Sequence, residues 1–331
     1  MKVDKESRMA WIAAYCRAYH AVHDDPKIFD DFLAIKLLTE KERKTFEWQI
    51  YFGAKVINYL GSRKAVPSVI NFLLPKRFQR TFKGIAPKDP TLMSSQRSAL
   101  DWFMQANGGI ALALSRARYT EDSLEEAVRK GVKQYVILGA GMDTFAFRRP
   151  ELLEKFQVFE MDRPATQALK RHRLTELGWE IPKQLNFVPV DFTRQRLDEA
   201  LQNSSYDPSA LSFFNWLGVT YYLPRKAVFD TLRSVAGIAP KGSTIIFDYL
   251  DSDAFDPAKV APRAQFFLSS AVGEKMISGF DPSTLSKDLA ALGLRLKENL
   301  SSSDIDKRYF QGRTDNYHAL EQANFACAVV E

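Results

Sequence analysis

From Gln134 to Leu250 five short apolar runs alternate with amphipathic stretches, and few architectures accept that pattern. The runs are QYVILGAG, QVFEMD, NFVPVDF, LSFFNWLGV and STIIFDYL, each bounded by turn residues or charge. Runs so continuous in Val, Ile, Leu and Phe read as strands covered on both faces, the condition of a parallel sheet with helices above and below. The intervening ATQALKRHRLTELG and RKAVFDTLRSVAGI read as crossover helices, each ending at a C-cap glycine, Gly178 and Gly237. Two weaker strand candidates follow in the tail, LRLKENL and NFACAVVE. The expected class is α/β, with a mostly parallel sheet.

The first hundred residues read differently. SRMAWIAAYCRAYHAV and DFLAIKLLTEKERKTFEW repeat apolar residues at helical spacing, separated by the Asp25-Pro26 break. LMSSQRSALDWFMQANGGIALAL continues the helical texture, with Gly108-Gly109 as its break. A helical section over residues 1–112 therefore precedes an α/β domain over 113–331.

At 331 residues, 46% hydrophobic and 26% charged, the chain has an ordinary globular composition. No stretch approaches the roughly 18 uninterrupted apolar residues of a membrane span. The opening MKVDKESRMAWIAAYCRAYHAVHDD carries charge throughout and lacks an apolar signal core, so a cytoplasmic location is expected. Cys16 and Cys327 form no C-x-x-C pair, which argues against a disulfide framework or thiolate metal site and for buried thiols. The net charge is 46 − 40 = +6, with no nucleic-acid motif, so no nucleic-acid partner is expected. The stretch from Gln49 to Lys88 holds Lys55, Arg63, Lys64, Lys76, Arg77, Arg80, Lys83 and Lys88 and no acid. It could receive an acidic acceptor or brush a membrane surface, but a solvated basic face suffices to explain it and is the favoured reading.

Candidate chemistry begins at Tyr135–Arg148, YVILGAGMDTFAFR, where a strand runs into Gly139-Ala140-Gly141. Two glycines let the backbone turn tightly beneath a ligand. About twenty residues on, a second strand ends at Glu160-Met161-Asp162, an acid placed for ribose hydroxyls, and a third ends at Asp191-Phe192. One G-x-G is weak evidence, because α/β proteins use such turns for geometry alone. The ordered trio is stronger. Met142, Asp143 and Thr144 stand where a dinucleotide fingerprint needs its third glycine, and an acid there repels a pyrophosphate, so a ligand without phosphates fits better than NAD or FAD.

These segments resemble the leucine carboxyl methyltransferase-like group of class I S-adenosylmethionine-dependent methyltransferases. The matching pieces, in order, are SRARYTEDSL at 115–124, GVKQYVILGAGMDTFAFR at 131–148, VFEMDRP at 158–164, VPVDF at 188–192 and LGVTYYLP at 217–224. The resemblance implies a Rossmann-like sheet of seven strands with an antiparallel edge, a helical lid at the front, and S-adenosyl-L-methionine as cofactor. It implies that Arg116 pairs with the cofactor's carboxylate, with Arg118 as the weaker alternative. Gly139, Ala140 and Gly141 would line its middle, Asp162 hold the ribose, and Asp191 with the Phe192 backbone recognise the adenine. Leu217 departs from the glutamate that many relatives carry there.

The implied reaction is O-methylation of a small molecule, on a carboxylate or a hydroxyl. A sulfonium cation without phosphates tolerates Asp143, and an arginine suits its carboxylate. A carboxylate nucleophile needs no base, whereas a hydroxyl does; of His20, His23, His172 and His318 only the last is a loose candidate. His20 and His23 share a helix face without an acid or cysteine partner, so they read as core or surface rather than metal ligands. Trp216, Tyr221 and Tyr222 are candidates to line an acceptor pocket, with core packing the default for Trp216. By itself the Arg116 segment reads as an ordinary surface helix; the resemblance reverses that reading and implies that Arg116→Ala weakens cofactor binding and leaves the melting temperature little changed, a large stability loss favouring a structural role instead. The competing classes are an NAD-type oxidoreductase, disfavoured by Met142-Asp143-Thr144, and a basic binding module that uses the fold as scaffold.

Overall fold

A computed structural model of the chain describes residues 7–62, 95–256 and 273–331, and only the backbone of 53–62. One seven-stranded sheet holds β1 (Gln134–Leu138), β2 (Gln157–Asp162), β3 (Leu185–Pro189), β4 (Ser212–Trp216), β5 (Thr244–Leu250), β6 (Leu294–Leu300) and β7 (Ala323–Val330). Their spatial order is β3-β2-β1-β4-β5-β7-β6. The first five pair in parallel, and β7 runs antiparallel to both β5 and β6. The order reverses between β1 and β4, so their carboxyl ends feed loops in opposite directions and open a crevice there.

The alternation of side chains along each strand divides the core in two. Tyr135, Ile137, Val158, Phe213 and Ile246 belong to one buried cluster, with Leu112, Leu114 and Leu124 of the helix Gly108–Arg129. Val136, Leu138, Phe159, Phe214 and Ile245 belong to the other, with Val228, Leu232 and Val235 of the helix Arg225–Ile238. Each such side chain, fully buried, stabilises by about 1.5–3 kcal/mol, which makes the continuous apolar runs intelligible.

The helical front starts with α1 (Arg8–His23), capped by Ser7. The next expected helix divides into α2 (Ala34–Leu37) and α3 (Glu40–Ser62). The division has a local cause: the Thr39 hydroxyl accepts the Glu42 N–H at 3.2 Å while the Glu42 carboxylate accepts the Thr39 N–H at 2.9 Å, a capping box that starts a new helix. Between α4 (Gln96–Ala106) and α5 (Gly108–Arg129) the break falls at Asn107, whose Oδ1 accepts the Gly109 N–H at 3.0 Å. The 112/113 boundary lies inside α5.

The short α6 (Phe145–Arg148) and α7 (Pro150–Leu153) precede α8 (Pro164–Glu176), which ends where Gly178 takes a φ of 64°. After α9 (Leu197–Gln202), α10 (Arg225–Ile238) corrects one expectation: Gly237 lies inside the helix. The chain leaves at Ala239, extended at φ −92° and ψ 144°, because the ring of Pro240 disfavours helical geometry in the residue before it.

Most of the basic 49–88 stretch lies outside the described residues. No described helix is long and apolar enough to cross a membrane. His20 is a core histidine: its Nε2 accepts the Ile28 N–H at 2.7 Å and its Nδ1 lies 2.7 Å from Asp24. Both cysteines are buried, and burial pushes the Cys16 thiol up to about 12 and Cys327 to about 11.

Candidate active site

β1 ends in the glycine turn, with φ of 75° at Gly139 and 53° at Gly141. The N–H groups of Gly139 and Ala140 donate to the Met161 carbonyl at 2.7 and 3.1 Å, tying the turn to β2. A Cβ on Gly139 would stand 2.4 Å from Val219 Cγ2, and one on Gly141 would stand 3.0 Å from Ala10 of α1. The turn therefore needs glycine for its backbone and for the close approach of the Val219 loop and α1. Asp162 finishes the construction: its Oδ2 accepts the Gly141 N–H and its Oδ1 the Arg163 N–H, both at 2.6 Å. Burial raises its carboxyl pKa, and these two N–H donors oppose the shift.

At the next strand tip, Asp191 Oδ1 accepts from the Thr193 N–H at 2.9 Å and the Thr193 hydroxyl at 2.6 Å. The Phe192 ring packs 6.1 Å from that of Trp216, which is fully buried and belongs to the core. Arg116, the Gly139–Gly141 turn, Asp162 and Asp191-Phe192 all line one cavity of about 260 Å³ at the crevice.

Arg116 is not a solvated helix residue. Its Nη1 donates to the Tyr221 hydroxyl and to Asp248 Oδ2, each at 2.8 Å. The other oxygen of Asp248 accepts the Gly218 N–H at 2.6 Å, and Gly218 leaves room for the guanidinium: a Cβ there would meet Arg116 Nη2 at 2.5 Å. Asp248 is 1% exposed, so an Arg116 truncation would strand a buried carboxylate, and the structure revises the expectation of an unchanged melting temperature. Sequence reasoning passed over Asp248 and Tyr221 as partners. The available signal was a lone acid inside the apolar run STIIFDYL, since buried acids come with partners. Arg118 is half exposed, pairs with Asp122 at 2.8 Å and is absent from the cavity wall, as is the exposed His318.

The family model for leucine carboxyl methyltransferase matches residues 10–236, most of the helical front, the glycine turn and the first four strands. The chain belongs to the leucine carboxyl methyltransferase family. A Bacillus subtilis relative, YktD, provisionally named an S-adenosyl-L-methionine-dependent methyltransferase, is 35% identical with 99% of both chains covered. A Mycobacterium avium protein with the same provisional name is 28% identical, covering 64% of this chain and 70% of its own. A solved DUF574 family protein from Streptomyces avermitilis is 13% identical at a TM-score of 0.48, covering 84% of this chain and 97% of its own.

In this leucine carboxyl methyltransferase family member, α1 roofs the cavity. The Ser7 hydroxyl donates to Glu274 Oε2 at 2.9 Å, the Met9 N–H donates to Glu274 Oε1 at 3.1 Å, and the Ser7 N–H reaches Thr166 Oγ1 at 3.2 Å. Arg17 joins roof to floor, donating to Asp31 and to the Met142 carbonyl, each at 2.8 Å. Arg148 pairs with Glu121. Leu217 lines the same wall.

Under β2, Glu160 pairs with Lys170, both about 1% exposed. Burial lifts the Glu160 carboxyl from 4.5 to about 7, with the Lys170 charge pulling it back down. Between those values the folded protein holds a proton that the unfolded chain has released, so this group's contribution to stability falls as pH rises across that window. Glu160→Gln is expected to flatten that part of the pH dependence, read as denaturant unfolding free energy at pH 5 and pH 7. An unchanged slope would assign it to another group.

Proposed function

We propose that this chain transfers the methyl group of S-adenosylmethionine to an oxygen of a small-molecule acceptor, a carboxylate oxygen in first place and a hydroxyl in second. Family membership and the names of the curated relatives support methyl transfer from S-adenosylmethionine. The observation that carries the assignment is the convergence of three successive strand tips and a buried arginine on one cavity.

The residues fit the cofactor. Asp162 stands where ribose hydroxyls can donate to it, and Asp191 with the Phe192 backbone offers an acceptor and a donor to an adenine edge. Among the described residues Arg116 donates through Nη1 alone, which leaves Nη2 and Nε for a carboxylate. Glu121 is paired with Arg148, but Asp143 and Asp162 stand beside the glycine turn, where they disfavour a pyrophosphate, which weighs against NAD.

When bound, the cofactor supplies a methyl group made electrophilic by a positively charged sulfur. The protein's part is positional: walls that hold the acceptor oxygen about 3 Å from that carbon, in line with the bond to be broken, and a roof that excludes water. The helical front, α1 above all, is read as the lid. A carboxylate acceptor arrives ionised and asks no residue to take a proton.

Incubation with methyl-labelled cofactor and a library of small acids, alcohols, phenols and amines tests this reading. Mild base releases a methyl ester as volatile labelled methanol and leaves an ether intact. Base-labile product supports a carboxylate acceptor and base-stable product on an alcohol or phenol the hydroxyl. Labelling of amines alone would overturn O-methylation.

A further inference from the structure

The cavity wall changes character along α5. Beyond Arg116 it is polar, with Thr120 and Glu121, whereas before Arg116 it is built from Ala113, Leu112 and Ile110. Ala113 and Leu112 stand three and four residues before Arg116, on the same helix face and about 4.5–6 Å along the axis. Asn107, the cap residue, lines the cavity as well, so the lined stretch before Arg116 runs for about 14 Å.

Three other segments close around that stretch with apolar side chains. Ile12 and Cys16, one turn apart on α1, line the cavity and share a buried cluster with Ile110, Leu112 and Leu320. Leu320 lies on the start of α5, where a Cβ on Gly108 would stand 3.1 Å from its Cδ1. Met276 lines the cavity from the third segment, which is tied down where the Ile277 N–H donates to the Tyr221 carbonyl at 2.7 Å.

The polar groups on this side are committed or neutral. Asn107 Oδ1 caps the Gly109 N–H, Glu274 accepts from Ser7 and the Met9 N–H, and the Tyr221 hydroxyl accepts from Arg116. Burial lifts the Tyr222 phenol well above its usual 10 and the Cys16 thiol to about 12, so both stay uncharged. Among the described residues this half of the cavity offers no unpaired charge. A charged group entering it would lose its water and meet no counter-ion, whereas each methylene buried there is worth about fourfold in affinity.

We propose that the acceptor is a monocarboxylic acid with an apolar body, its carbon chain lying between α1 and the first two turns of α5 and its carboxylate at the Arg116 end of that slot. This rests on the methyl-transfer reading above and adds the class of acceptor. Titration calorimetry of wild-type protein saturated with S-adenosylhomocysteine reads it without turnover. From butanoate through hexanoate to octanoate, affinity is expected to rise about fourfold per methylene. Hexanedioate, whose second carboxylate would end inside the slot, is expected to bind about 100-fold more weakly than hexanoate. Ala113→Leu, which fills the slot, is expected to weaken octanoate about 10-fold and leave S-adenosylhomocysteine within twofold of wild type; Ile12→Ala, which widens it, is expected to move the best-binding acid to a longer chain. Thermal unfolding serves as the folding control for both variants. A flat chain-length series, hexanedioate binding as tightly as hexanoate, or equal weakening of octanoate and S-adenosylhomocysteine by Ala113→Leu would each overturn the apolar slot while leaving the methyl-transfer reading in place. Wild-type protein that fails to bind S-adenosylhomocysteine would overturn that reading and the slot together.

Discussion

Asp248→Ala is expected to destabilise the protein by about 3–5 kcal/mol, the usual consequence of removing one member of a buried ion pair. The carboxylate meets Arg116 Nη1 on one oxygen and the Gly218 N–H on the other, at 1% exposure, so its loss strands a guanidinium and a backbone donor together. The effect reaches the site as well. Gly218 at φ 73° fixes the loop that continues into Val219 and Tyr221, both cavity-lining, and Arg116 keeps only the Tyr221 hydroxyl of the two groups that hold its Nη1. Denaturant unfolding measures the first effect and titration with S-adenosylhomocysteine the second. A loss under about 1 kcal/mol would mean that water reaches the pair and screens it as it does at a surface.

Asp162→Ala carries the largest expected effect on ligand binding, about 1–3 kcal/mol, or roughly 5- to 150-fold in affinity. The variant removes the acceptor proposed for the ribose and also the acceptor of the Gly141 and Arg163 N–H groups that shape the turn. Asp162→Asn is expected to rescue little, since one amide group would face an N–H with another N–H. Because ribose is common to both, S-adenosylhomocysteine and 5′-methylthioadenosine, the adenosine thioether without the amino-acid end, should weaken together. Affinity for both within about twofold of wild type would remove Asp162 from the ribose site.

The sheet was legible because its strands are covered on both faces, which leaves mostly apolar residues in runs such as QYVIL and SFFNW and makes the strand tips easy to find. Once the tips were found, the glycine turn, Asp162 and Asp191 could be named from their order. What escaped were contacts between residues far apart in the chain. Nothing in local periodicity reports that Ala10 lies against the turn at Gly141, that Asp248 reaches Arg116, or that Glu274 ties down the start of α1. Two local signals were present and misweighted: the Thr39–Glu42 capping box was hidden by an unbroken apolar pattern, and Gly237 drew attention from Pro240, which actually ends the helix.

The account stands on an adenosine bearing a charged or neutral sulfur lying across the tips of β1, β2 and β3. Titration calorimetry of the purified protein with S-adenosylhomocysteine, and in parallel with NADH, addresses that directly. The expected result is one S-adenosylhomocysteine bound per chain, weakened by Asp162→Ala, with no heat from NADH. Saturable NADH binding that Asp162→Ala weakens, with none for S-adenosylhomocysteine, would contradict it.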